Sequence, residues 1–291
     1  MKKFDKQMLS TMRSNRTLTG LFAALIVSLL LLFVNFLYLN IQSAYDTEYI
    51  GHAGELRVLS QQISKSASEA ATGTPEAFGL LLEARNDFQQ RFEYLTNGRE
   101  ETGLPATPQS LQDQLQTVQA NWDRVRSNAD EILASEATVL SLNEVALTLS
   151  DTIPQLQVEY EDVVDVLISS NAAADQVAIA QRQSLLAERI LNSVNRVLAG
   201  DEDAVMAADS FGRDASLFGR VLQGMIEGNP SIGIERVTDP DAIIRLNDIA
   251  DLFTFVSESV DEILLTSPEL YQVSLAASET FTDSQLLLDN V

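Results

Sequence analysis

The chain has 291 residues, with 19 Lys and Arg against 42 Asp and Glu, no Cys and one His. The first 16 residues carry a net charge of +4 and the remainder −27. That acidity excludes a nucleic-acid binder, which needs a basic surface to displace counterions, and the missing Cys excludes a disulfide framework, a zinc ribbon and a thiol nucleophile.

Residues 1–17 read as a basic tail, with Lys2, Lys3, Lys6, Arg13 and Arg16 against Asp5 alone. Leu21 to Leu39 holds nineteen residues without a charge, and only Ser28 and Asn35 are plainly polar. At about 1.5 Å per residue the run nearly matches a ~30 Å hydrocarbon core. It predicts a transmembrane helix over 18–40, in contact with membrane lipid. The basic cluster before it, and Asp46 and Glu48 after it, leave the N-terminus cytoplasmic and send residues 41–291 outward. A cleaved signal peptide is the rival reading. It needs an apolar region of ~7–15 residues and a small-x-small site, but the best site here, before Tyr45, puts Gln42 at the −3 position. Asn35 is the one amide deep in the span and is costly there without a partner. It is therefore the candidate contact within the membrane.

From residue 41 onward apolar residues recur at helical spacing and no period-2 strand is evident. The prediction is an all-α protein: one transmembrane helix, then an elongated helical bundle. Ile41 to Ala71 reads as one helix, broken at Gly73-Thr74-Pro75, with Thr74 as N-cap and Pro75 in the first helical position. A second helix runs to about Thr96 and stops at Asn97-Gly98, and residues 103–108 form a loop. A helical stretch from Gln109 to Ser150 is expected to be interrupted at Pro154. Another runs from Gln155 to Ala199, then one from Glu202 to Glu227, a loop at Gly228-Asn229-Pro230, one from Asp241 to Leu265, and a last helix starting at Pro268 and still running at Val291.

A repeat with an offset of 127 residues organises this part. Leu59, Ile63, Ser66, Gly73, Ala77, Asp87 and Leu95 return as Leu186, Ile190, Ser193, Gly200, Ala204, Asp214 and Leu222. The division expected is two four-helix-like modules, 41–170 and 171–291.

No catalytic constellation stands out, and no cofactor or metal site is expected. The acidic groups Glu161-Asp162 and Asp201-Glu202-Asp203 read as helix-start or solvated residues. A single His, His52, cannot make a multi-histidine metal site. It reads as a surface or packing residue, with a pH sensor as the minority reading. Trp122, at helical spacing with Leu115, Val118 and Val125, reads as core.

Two segments occupy the same place in the two repeats: residues 54–63, GELRVLSQQI, and residues 180–190, AQRQSLLAERI. Polar residues interrupt the apolar stripe there, most clearly Gln183, which takes the position of Leu56. Buried amides and guanidinium groups need partners. One reading is a polar bundle layer. The other is a small-anion site held by arginine forks at a helix seam, with Arg57, Ser60, Gln61, Arg182, Gln183 and Arg189 as the ligand-binding candidates.

The basic N-terminus, the single anchor and the duplicated helical part with L-R-x-L-S-Q-x-I resemble the N-terminal half of the type IV pilus methyl-accepting chemotaxis transducers. The stretches IGHAGELRVLSQ, DTIPQLQVEY, QRQSLLAERI and residues 208–220 (ADSFGRDASLFGR) are similar to the pseudomonad form, and the resemblance covers essentially the whole chain. It implies a bacterial inner-membrane receptor with a periplasmic sensor, controlling twitching motility through a CheA-type histidine kinase and CheW-type adaptors. It also implies a homodimer and contact with pilin subunits. A further resemblance, to nitrate sensors of the NarX type, gives Arg57 the role of anion ligand, with Ser60 one turn on. The sequence departs from that pattern at Gln62, where many members carry Arg. No second apolar run of ~18 residues, HAMP linker or coiled-coil hairpin follows residue 40, so the chain is expected to be an N-terminal portion of a longer receptor. The other class of function open to such a sequence is an envelope-anchored helical scaffold.

Overall fold

The computed structural model describes the backbone of residues 2–200 and 203–290, and side chains from Leu21 onward within them. The basic side chains of the tail, Asp201 and Glu202 of the acidic run, and Val291 lie outside the described residues. Among the described residues there is no strand, only helix, turns and two isolated antiparallel bridges. The α-helices are α1 (Lys2–Ala71), α2 (Pro75–Asn97), α3 (Gln112–Ala134), α4 (Glu136–Ser169), α5 (Ala174–Ala199), α6 (Ala204–Glu227) and α7 (Pro240–Asn290). Short 3₁₀ turns precede α3 and α7, at Gln109–Leu111 and Pro230–Ile232.

Helix α1 carries the apolar run, and every side chain from Leu21 to Leu39 is exposed, as a lipid-facing helix requires. The helix ends where Gly73 turns left-handed (φ +83°). The Gly73 N–H donates to the Ala70 carbonyl and the Thr74 N–H to the Glu69 carbonyl, the paired bonds of a Schellman motif. Pro75 then opens α2 as the sequence predicts.

The chain divides into two compact units, one of residues up to Leu56 with Gln90–Gln112, the other of Arg57–Gln89 with everything from Asp113. In the first unit α1 lies beside the end of α2 and the loop after it. The Tyr49 hydroxyl donates to the Pro105 carbonyl at 2.6 Å, and the Thr102 hydroxyl to Glu48 at 2.8 Å. His52 is a packing residue, buried against the Tyr94 ring at 5.3 Å, with Glu48 and Glu55 at 3.7 and 3.6 Å. Gly98 holds the turn at φ +84°. A Cβ there would meet the Leu104 carbonyl oxygen at 2.5 Å, so glycine is required.

In the second unit α4, α5, α6 and α7 form a ring in which α4 and α6 each pack on both α5 and α7. Apolar stripes meet at its centre. The Tyr160 ring stands edge-on to Phe218 at 5.4 Å, and Phe218 lies 4.6 Å from Phe253. Burial raises the Tyr160 hydroxyl well above its ordinary pKa. The C-terminal half of α7 runs on beside α1 and α3, where Arg124 forks onto Asp283 and the Ser60 hydroxyl donates to the Ser284 carbonyl. There Phe88 stacks on Trp122 at 4.0 Å, and the indole N–H donates to Gln89 Oε1 at 2.7 Å.

Four expectations about breaks are corrected. Pro154 does not interrupt a helix but lies inside α4, and Pro268 does not start one but lies inside α7. A helix-interior proline costs about 3 kcal/mol. Burial offsets it here, since Leu149, Ile153, Leu156 and Tyr160 around Pro154 are all at most 1% exposed. At Pro268 the Leu264 carbonyl, deprived of an N–H donor, receives the Ser267 hydroxyl at 3.5 Å. The real breaks lack Gly or Pro. At Ser135 (φ −92°, ψ 7°) the axis turns by 53° between α3 and α4. After α4, Asn171 adopts φ +56° and closes a second Schellman motif, Ala172 N–H to Leu167 O and Asn171 N–H to Ile168 O.

The repeat also shifts register. Gly98 and Gly228 (φ +84° and +89°), Gly103 and Gly233 (+74° and +71°), and the bridges Arg99–Leu104 and Asn229–Ile234 correspond at an offset of 130. The Thr107 N–H donates to Leu95 O as the Val237 N–H does to Met225 O. Leu95 therefore matches Met225 in this geometry rather than Leu222. The offset grows by two because α2 starts two residues after Gly73 but α6 four after Gly200, and by one more because α6 is one residue longer than α2.

Trp122→Ala is expected to destabilise the second unit by about 3–5 kcal/mol, read as a lowered urea midpoint of the detergent-solubilised chain. A change under ~1 kcal/mol contradicts the packing described. Tyr49 gives a pH prediction. Burial, then the nearby Asp46 charge, raises its phenol above the ordinary 10.0. The neutral, donating form is favoured by folding, so its contribution is complete below pH 10.0 and is lost as pH rises through the higher folded value. Protection of the Leu104 and Thr107 amides, taken relative to their base-catalysed intrinsic exchange, is expected to fall only in that alkaline range, and in Tyr49→Phe to be reduced already at neutral pH.

Candidate functional site

The two polar segments part company in the structure. On α1, Arg57 is exposed and its guanidinium donates to the Leu288 carbonyl at 3.0 Å. One turn on, Ser60 is fully buried and holds Ser284 O at 3.0 Å. Both residues tie α1 to α7 in the second unit. Gln61 faces solvent. Asn35 lies exposed in the apolar run, and its side-chain amide makes no hydrogen bond among the described residues.

On α5 the pattern is different. Gln183 is 2% exposed, and its amide donates to the Phe218 carbonyl at 2.9 Å and to the Tyr160 hydroxyl at 3.4 Å. It fastens α5 to α6 and α4 beneath the surface. Arg182 and Arg189, seven residues apart and so roughly 10 Å along the helix, point out of the same face and line a groove of about 800 Å³. Leu186 lies between them in the lining. The opposite wall is α6, with Leu217, Arg220 and Val221, and the turn after α6 closes one end with Ile232, Gly233 and Ile234. Arg189 donates to Asp214 Oδ1 at 2.9 Å. Arg182 and Arg220 make no hydrogen bond or ion pair among the described residues.

The structure therefore brings together Arg182, Gln183 and Arg189 of the predicted residues, and separates them from the cluster on α1. Arg220 is the residue that sequence reasoning misses. It sits within the stretch 208–220 that carries the family resemblance, but only the antiparallel return of α6 on α5 sets it opposite Arg182. Among the described residues no group of three or more His, Asp or Glu side chains is placed to hold a metal ion.

The described residues thus combine an exposed apolar helix long enough to cross a membrane with a helical part that holds a basic groove. Residues 38–148 match the family model described as the type IV pili methyl-accepting chemotaxis transducer N-terminal domain, PilJ. The class of protein that this stretch resembles is the sensory portion of a methyl-accepting chemoreceptor. Within it, the chain is 63% identical over 290 residues to Protein PilJ of Pseudomonas aeruginosa, an alignment covering 99% of this chain and 42% of that protein. It is 47% identical over 271 residues to the putative methyl-accepting chemotaxis protein AlkN of Alcanivorax borkumensis, covering 93% of this chain and 39% of the other. The chain spans about two-fifths of the length of these curated relatives. Among solved structures, it is similar to the TorS sensor domain in its complex with TorT in the presence of TMAO (14% identity, TM-score 0.33, 83% of this chain and 98% of that one). The V. parahaemolyticus TorS sensor domain is similar too (17% identity, TM-score 0.35, 84% and 100%).

Gln183→Ala, which removes a buried donor and opens a cavity, is expected to cost roughly 1–3 kcal/mol in urea unfolding. Arg182→Ala, exposed and unpaired, is expected to stay within about 0.5 kcal/mol. Equal losses for the two contradict the division of roles between them.

Proposed function

We propose that the chain supplies the input of a receptor that controls type IV pilus twitching motility, passing its signal to a CheA-type kinase and CheW-type adaptor through a cytoplasmic part outside these residues. The observation that carries this is the 63% identity to PilJ along nearly the whole chain. In this reading the protein transduces and does not catalyse. The span at 18–40 sits in the bacterial inner membrane with the N-terminus cytoplasmic and residues 41–291 periplasmic. The charge step from +4 to −27 supports that orientation. The outer part consists of two related modules, 41–170 and 171–291. The matching turn geometry at Gly98 and Gly228 supports this division.

The working unit is a homodimer, and pilin subunits held in the same bilayer are its contact. Asn35, without a partner of its own in the apolar run, supports a helix–helix contact inside the lipid. The test is replacement: these 291 residues, joined to the remaining part of PilJ, are expected to restore twitching to a Pseudomonas aeruginosa strain that lacks PilJ. No restoration by a stably produced chimaera contradicts the proposal.

Because the chain has no Cys, single substitutions report cleanly. In membranes Ile50→Cys, at a position 72% exposed, is expected to yield a disulfide-linked dimer, and adding Asn35→Leu to reduce the yield. Leu265→Cys, 80% exposed, is expected to react with a membrane-impermeant thiol reagent from the periplasmic side, while Ser10→Cys does not. Absence of the dimer, or labelling of Ser10→Cys, contradicts the arrangement.

A further inference from the structure

In so acidic a chain an arginine has carboxylates in excess to choose from. Most arginines take one: Arg85 pairs with Asp130, Arg91 with Glu55, Arg124 with Asp283, Arg196 with Asp203, and Arg245 with Glu159 and Asp162. Arg182 and Arg220 take none, and both line the groove between α5 and α6. Arg57 and Arg213 hold a carbonyl and a hydroxyl instead, and Arg236, whose guanidinium has no partner among the described residues, lies outside that lining. Arg189 adds a third guanidinium, only partly engaged by Asp214 and 67% exposed as a side chain. Against these three cations the groove carries one carboxylate, Asp175.

The rest of the lining is apolar. Leu185, Leu217 and Ile232 at its rim are 62%, 42% and 47% exposed, a cost in water that an apolar ligand body removes. The volume, about 800 Å³, lies within the ~300–1,000 Å³ usual for small-molecule sites. The Gln183 amide N–H is already engaged beneath the groove, so recognition falls to the three arginines. A bare inorganic anion satisfies the guanidinium groups but leaves the apolar rim wet. A neutral apolar molecule does the reverse.

From this we propose that the α5–α6 groove is a binding site for a small organic carboxylate with an apolar body. Its carboxylate is held in a fork by Arg182 and Arg220, with Arg189 as the third charge, and its body lies on Leu186, Leu217 and Val221. Such a ligand bridges α5 to α6. The proposal rests on reading the chain as a sensory portion, and it supplies the class of ligand sensed.

The experiment is calorimetric titration of the full chain in nanodiscs with 4-phenylbutyrate, beside 4-phenylbutanol, acetate and nitrate, with empty nanodiscs subtracted. Saturable binding of 4-phenylbutyrate is expected, at least tenfold tighter than each of the other three. Arg182→Ala and Arg220→Ala are each expected to weaken it about tenfold or more, and Arg57→Ala to leave it unchanged. Both groove arginines are exposed and unpaired, so their loss leaves the fold intact, which the urea midpoint verifies. Binding of the alcohol as tight as that of the acid overturns the guanidinium fork. Binding of acetate or nitrate as tight overturns the apolar floor. Sensitivity to Arg57→Ala but not to the groove arginines puts the ligand elsewhere and overturns the site. No binding at all also overturns the site, but leaves the receptor reading intact, because that stands or falls on the chimaera.

Discussion

Helix α7 is the constraint on which the second unit depends. Its apolar stripe is long, with buried positions from Ala242 to Leu287, and no single partner covers it. The first half is covered by α4 and α6, and the second lies beside α1 and α3. Keeping the stripe continuous outweighs the local cost of Pro268, and the same balance carries α4 through Pro154. Polar links then set the register. Ser60 and Arg57 grip the Ser284 and Leu288 carbonyls, while Gln183 grips Phe218 O in the ring of α4 to α7.

Charge is the second organising quantity. A net −27 outside the tail makes cations scarce, so each arginine is informative by what it touches. Most neutralise a carboxylate and fix two helices together or steady one. Of the three whose guanidinium groups do neither among the described residues, Arg182 and Arg220 lie in a recess with an apolar rim. The scarcity gives the α5–α6 groove its meaning, since on a basic protein the same residues would be unremarkable neighbours.

Much of the architecture was legible in the sequence, because some punctuation acts locally. Gly73 with Pro75, Asn97-Gly98 and Gly228 stop or start helices wherever they are placed, since positive φ and the missing proline N–H are properties of single residues. Pro154 and Pro268 misled because burial of neighbouring turns overrides a local penalty. Ser135 and Asn171 were missed because nothing about a serine or an asparagine compels a break until packing requires one. For the site, Arg182 and Arg189 were visible as polar interruptions of an apolar stripe. Arg220 was not, since its role depends on which turn of α6 lies opposite α5, a register marked by the Gln183–Phe218 and Arg189–Asp214 contacts. The offset of 127 at the glycine breaks becomes 130 at the later turns through small length differences before and within α6, which leave the apolar pattern unchanged.

The length of α7 has a consequence for what it connects. At about 1.5 Å per residue its 51 residues form a rod of roughly 75 Å. One continuous backbone therefore joins Phe253, in the aromatic stack, to Leu288, whose carbonyl Arg57 holds, and Ser60 fastens the turn before it at Ser284.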